Sequence, residues 1–249
     1  MNEEWYSKST MSDQLLIEKT GPVSTLTLNR PDKANALDAG LVDALAAAVE
    51  AAQHDGTRLL ILNGNGRNFC AGFDFGGCEG ASEGDLLLRF ARIELLLQAV
   101  YHAPFATLAL AQGRNFGAGV DLVLACGSRI AAPDAQFRMP GLRFGLQLGT
   151  RRLAARLGGD AARALLATSR TFGADEALSL GFLHELAAPQ AWPALVERAA
   201  AAAKQLSPAA AARLYAATVS DTRAADLADL VRSAIEPGLK ERIDEYRKG

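Results

Sequence analysis

Residues 110–126, LAQGRNFGAGVDLVLAC, run a glycine-rich turn straight into an apolar helical stretch, and the rest of the chain has to be arranged around that junction. Gly113, Gly117 and Gly119 permit backbone angles and close approaches that a β-carbon would forbid, so a ligand atom can lie against the main chain itself. Val120, Leu122, Val123 and Leu124 predict a buried helix. The first turn of such a helix presents N–H donors without intrahelical partners, at the positive end of its dipole. Asp121 lies three residues after Ala118, which on a helix puts its carboxylate on the face of the Ala118 N–H. An anion-stabilising donor and a candidate base then face one pocket.

Each piece also has a structural reading. A glycine-rich turn before a helix often serves only as a tight connection, and the dipole favours an Asp in a first turn with or without chemistry. The spacing Gly113-x-x-x-Gly117-x-Gly119 also fits a dinucleotide-binding turn, which would put an NAD(P) pyrophosphate on this helix. Context argues against it. Such a turn should follow the first strand, and none of Tyr6, Tyr101, Tyr215 and Tyr246 has the Lys four residues on that short-chain dehydrogenases need.

The flanking pattern predicts an α/β chain. Leu15–Ile17 and Val23–Leu28 read as a hairpin around Gly21-Pro22, and Leu37 to Ala52 as a helix through Leu41, Leu45 and Val49. Leu59–Leu62 is a short apolar strand, and Asn63–Asn68 is a loop of turn formers. In Phe69-Cys70-Ala71-Gly72-Phe73-Asp74 the small residues leave the main chain of Ala71 and Gly72 open, a second place for backbone donors. Ser82 caps a helix over about 85–101, Phe105–Leu110 feeds the central turn, and Ser128–Ala131 and Ala135–Arg138 give further strands. Short helices follow near 150–156, 161–168 and 175–180. From Trp192 the texture becomes alanine-rich helix, with Ser207-Pro208 opening one helix and Pro237 interrupting near the end. The division expected is a core over 12–191 and a helical region over 192–249, which packs on the core or on a neighbouring subunit.

Charge and cysteine usage narrow the function classes. With 26 basic against 28 acidic residues, there is no electrostatic footprint for nucleic acid or an anionic membrane. Cys70, Cys78 and Cys126 are odd in number and widely spaced, indicating neither a disulfide framework nor a metal site, and a cytoplasmic location fits. Residues 1–14 are polar and acidic, unlike a signal peptide, and Met11 is as plausible a start as Met1.

Taken together, LNRPDKANAL, FCAGFD, QGRNFGAGVDL, AAPDAQFRMP and ALSLGFL resemble the successive landmarks of the enoyl-CoA hydratase/isomerase (crotonase) family across residues 15–187. The resemblance implies a spiral core of ββα units, a C-terminal helical region making trimer contacts in a homotrimer or dimer of trimers, and acyl-CoA thioesters as substrates. Coenzyme A is then part of the substrate, with no prosthetic group. By matching positions it assigns the backbone donors of an oxyanion hole to Ala71 and Ala118, where the family commonly has Gly in place of Ala118. It also places Lys33, Ala34 and Ala36, with Phe73 and Asp74, beside the adenine and pantetheine part of CoA, and counts Gly72, Gly117, Pro140 and Gly141 among the binding residues.

Departures from the family pattern shape the expected reaction. Family hydratases resemble one another in two glutamates, and this chain has Asp121 and Gly141 in those places. Adding water to a conjugated double bond needs one group to take a proton from water and another to deliver one to carbon. Gly141 can do neither. A single carboxylate, Asp121, suits isomerisation, or protonation of an enolate left by C–C cleavage. The alternatives are a hydratase with an atypical site, a different base from Arg114, Asn115, Arg143 or Gln147, or an acyl-CoA-binding relative without catalysis. Phe73, Phe75, Phe90, Phe116 and Phe144 either enclose an acyl group or belong to the core.

Overall fold

The computed structural model describes residues 13–248, so the choice between Met1 and Met11, and Ser12 as the first core residue, lie outside the described residues. Strands β1 (Leu15–Thr20) and β2 (Val23–Leu28) form the expected antiparallel hairpin, with Gly21 at φ +57° in the turn. Helix α1 (Ala39–His54) starts where the Asp38 carboxylate accepts from the Leu41 N–H at 2.8 Å, and buries Leu41, Leu45, Val49 and Ala52. Helix α2 (Glu83–Tyr101) begins in a capping box between Ser82 and Asp85, two residues ahead of the predicted start.

These helices carry the chain between parallel strands. β3 (Leu59–Gly64) pairs with β2, β4 (Ala106–Ala111) with β3, and β6 (Ser128–Ala131) with β4. β9 (Glu185–Leu186) closes a six-stranded sheet of order β1-β2-β3-β4-β6-β9. A second sheet, β5-β7-β8, takes one short strand from each later turn of the chain: β5 (Arg114–Phe116), β7 (Gln136–Arg138) and β8 (Phe172–Gly173). Strand, strand and helix recur as the family resemblance implies. Helix α3 (Ala118–Ala125) is wholly buried between the layers.

Helices α4 (Thr150–Leu157), α5 (Gly159–Thr168) and α6 (Ala174–Ser179) precede four C-terminal helices among the described residues. α7 (Trp192–Ala203) covers the outer face of the main sheet, setting Leu195 against Leu59, Ile61, Leu108 and Leu110. α8 (Pro208–Thr218) is capped by Ser207. α9 (Arg223–Ala234) and α10 (Leu239–Lys248) turn back, and their Leu230, Ala234, Leu239 and Ile243 join the same hydrophobic cluster as α2 and α3. That return brings the end of the chain to the site. Among the described residues no helix is long and apolar enough to cross a membrane.

Candidate active site

Three loops converge through main-chain contacts. The Ala71 N–H donates to Ala34 O at 2.9 Å, the Leu37 N–H to Gly72 O at 2.7 Å, and the Asp74 N–H to Leu37 O at 3.1 Å, so residues 34–37 lie along 71–74. On the other side the Phe116 N–H donates to Cys70 O at 3.1 Å, and the Gly117 N–H to Arg138 O at 2.8 Å. Two glycines permit this approach. A β-carbon on Gly72, at φ +86°, would collide with Phe116 O and stand 3.2 Å from Ala118 N, and one on Gly119 would collide with Cys70 O.

The same contacts decide which amides are free. Ala118 is the first residue of α3 and its N–H has no acceptor among the described residues, as expected of a first helical turn. Ala71 does not share that property: its N–H is already committed to Ala34 O, which removes it as the second donor. The unengaged amide of that segment belongs to Phe73, two residues on. Which of two nearby amides is taken depends on pairing with the 34–37 loop, and FCAGFD alone carries no signal for it.

Ala71, Phe73, Gly117, Ala118, Asp121, Pro140 and Gly141 all line one cavity of about 140 Å³. Its remaining wall is almost entirely apolar, from Met139, Leu142, Leu146, Leu148 and Leu166, the aromatic rings of Phe75, Phe90, Phe116 and Phe144, and Tyr246 of α10. All five phenylalanines left open between core and acyl pocket are therefore at the cavity, with Phe73 stacked on Phe90 at 4.2 Å between ring centroids. No local pattern marks Met139, the four leucines or Tyr246 for the cavity, because only tertiary packing brings them there.

Asp121 is the cavity's one carboxylate, only 2% exposed, and its Oδ1 has no hydrogen-bond partner. Burial pushes its pKa up to about 8, against the opposing pull of Arg152 and with help from Glu94. Those two residues form a buried ion pair behind the site, with Arg152 Nη1 and Nη2 donating to Glu94 Oε1 and Oε2 at 2.8 and 2.5 Å. Glu94 interrupts the apolar face of α2 between Ile93 and Leu97, a mark that the sequence did carry. Gly149, at φ +67°, leaves room for the carboxylate, since a β-carbon there would collide with Asp121 Oδ1. Gly141 is as bare as expected, and a side chain at that place would start 2.9 Å from Leu146 O.

The other predicted residues lie outside the cavity wall. Lys33 is exposed at the end of a short turn before the 34–37 loop, and the main chain of Ala34 and Ala36 is engaged, Ala34 O accepting from the Ala71 N–H and Ala36 O from Arg30. Asp74 is held in place by Arg30 at 2.8 Å. Its burial works to raise its pKa, but the Gly76 N–H and Arg30 outweigh this and hold the carboxyl below the usual range. Of the other candidate bases, the Asn115 amide donates to Gly113 O and the Gln147 amide to Asp229, and neither residue nor Arg114 lines the cavity. His184 packs against Arg129; burial, reinforced by that cation, lowers its pKa to about 4.

Known proteins resemble this chain in sequence and fold. The family model described as enoyl-CoA hydratase/isomerase matches residues 18–241. A Mycobacterium leprae protein named a probable enoyl-CoA hydratase is 36% identical over 184 residues, 70% of this chain and 72% of its own. A solved Bordetella parapertussis structure, bearing the name enoyl-CoA hydratase/isomerase, matches with a TM-score of 0.94 at 53% identity, covering 96% of this chain and 100% of that one. The enoyl-CoA hydratase structure from Bacillus halodurans, at 22% identity and a TM-score of 0.83 over 93% of this chain and 99% of that one, shares the fold.

Proposed function

Because the chain belongs to the enoyl-CoA hydratase/isomerase family, we propose that it is an acyl-CoA enzyme whose Phe73 and Ala118 amides stabilise a thioester enolate while Asp121 moves the proton. The observation that carries this reading is the meeting of two unengaged main-chain donors and one unpartnered carboxylate in a single apolar cavity. Negative charge that develops on a thioester oxygen is stabilised most by donors fixed before the reaction begins, and losing one such donor costs about 2.7–4 kcal/mol of barrier. An apolar wall strengthens each of those interactions.

Asp121 sets the reaction subtype. A carboxyl held neutral near pH 7 is a proton donor, suited to the α-carbon of an enolate left by C–C cleavage. Once ionised, it can shuttle one proton between two carbons, which is isomerisation. Hydration is the second reading, favoured by the names of the relatives, but it calls for a second acid or base where Gly141 has none. On this reading coenzyme A is part of the substrate, and the C-terminal helices would make the contacts of a homotrimer or dimer of trimers. The test is α-proton exchange of a saturated acyl-CoA in deuterated water, followed by NMR. Exchange that disappears with Asp121→Asn supports enolate chemistry; tight binding without exchange makes the chain a non-catalytic acyl-CoA binder.

A further inference from the structure

Beyond the cavity wall lies an open recess of about 700 Å³, lined by Arg138, Arg143, Arg242, Glu245, Tyr246 and Arg247. Tyr246 belongs to both walls. Two of the arginines flank the segment that closes the cavity: Arg138 precedes Met139 and Pro140, and Arg143 follows Gly141 and Leu142. The recess thus adjoins the cavity at Tyr246 and along the 138–143 segment.

Four guanidinium groups there face one carboxylate. Arg242 has a structural use, donating to Phe144 O at 3.0 Å and Pro237 O at 2.8 Å, and Arg138 Nε donates to Ser169 O at 2.9 Å. Among the described residues, Arg143 makes no side-chain hydrogen bond or ion pair, and Arg247 reaches Glu79 and Asp244 only at 3.7 Å. Solvated surface arginines normally point apart. Here they converge on a recess that shares a wall with an otherwise apolar cavity, and a guanidinium fork is matched to the paired oxygens of a carboxylate or phosphate.

We propose that the recess receives a carboxylate at the far end of the acyl chain, which makes the substrate class dicarboxylyl-CoA thioesters. The inference rests on the acyl-CoA reading of the cavity. A phosphate of CoA offers similar oxygens, but the residues placed along CoA, namely Lys33, Ala34, Ala36 and Asp74, are absent from the recess, whereas the cavity's own Tyr246 is in it.

The experiment is calorimetric titration of the wild type, Arg143→Gln and Arg143→Gln/Arg247→Gln with chain-matched ligands: succinyl-, glutaryl- and adipyl-CoA against butyryl-, pentanoyl- and hexanoyl-CoA. Hexanoyl-CoA lacking its 3′-phosphate completes the set, and circular dichroism checks the fold of each variant. At one or more chain lengths the wild type should bind the dicarboxylyl ligand about tenfold or more tightly than its partner, and both variants should lose that preference. Equal binding of the two series by the wild type overturns the proposal and leaves the acyl-CoA reading standing. So does equal weakening of both series in the variants, with the 3′-phosphate mattering only to the wild type, since the recess then holds CoA. Failure of every acyl-CoA to bind overturns the acyl-CoA reading itself, and this inference with it.

Discussion

Replacing Asp121 by Asn should make the protein more stable while removing its chemistry, and the two effects should depend on pH in ways that identify the carboxyl. The folded-state pKa of about 8 lies above the ordinary 3.8, so the folded molecule holds a proton that the unfolded chain releases. The stabilisation from the neutral form is fully present below about pH 4 and is lost as pH rises through 8. At 1.36 kcal/mol per pKa unit, the wild type should fall behind the pH-independent Asn variant by an upper bound of about 4 kcal/mol at pH 7. Urea unfolding at unit steps from pH 5 to pH 9 should show the variant's advantage growing by about 1.4 kcal/mol per unit and levelling off above 8. Turnover should drop by roughly 100-fold or more. In the wild type, kcat that declines above about pH 8 identifies proton donation to an enolate, and kcat that climbs there identifies proton removal first. An advantage that is flat with pH would refute a carboxyl held neutral by burial, and activity within a few-fold of wild type would refute its role as proton carrier.

Two further substitutions probe how the carboxyl is held. Gly149→Ala puts a methyl where Asp121 Oδ1 lies, on a backbone at positive φ, so kcat should fall at least tenfold with a loss of about 1 kcal/mol or more in stability, read by steady-state kinetics and thermal unfolding. Glu94→Gln leaves Arg152 with Asp226, 3.7 Å away, and should cost about 3–5 kcal/mol in unfolding free energy. It also removes a charge that raises the Asp121 pKa, so the inflection in the pH profile of any remaining activity should move below 8.

What the sequence disclosed, and what it did not, follows the range of the interactions concerned. The β1–β2 hairpin, the Ser82 cap and the first turn of α3 depend on neighbours a few residues apart, and all were legible. Strands β5 and β8 are two or three residues long and exist only by pairing with β7, so no alternation announced them. At the site, Ala118 and Asp121 share a face through helical spacing alone. The substitution of Phe73 for Ala71 as the free donor depends on Ala34, which reaches the segment through the tertiary fold. Tyr246 could not be read from any local pattern, because its place at the cavity depends on α10 folding back over α2.

The most direct measurement is a crystal structure with a non-reacting acyl-CoA analogue bound. The thioester oxygen should sit within about 3 Å of both the Phe73 and the Ala118 nitrogens, with the α-carbon turned toward Asp121. A thioester bound with its oxygen on neither amide, or on one of them with the other turned from the cavity, would contradict the assignment of these two donors.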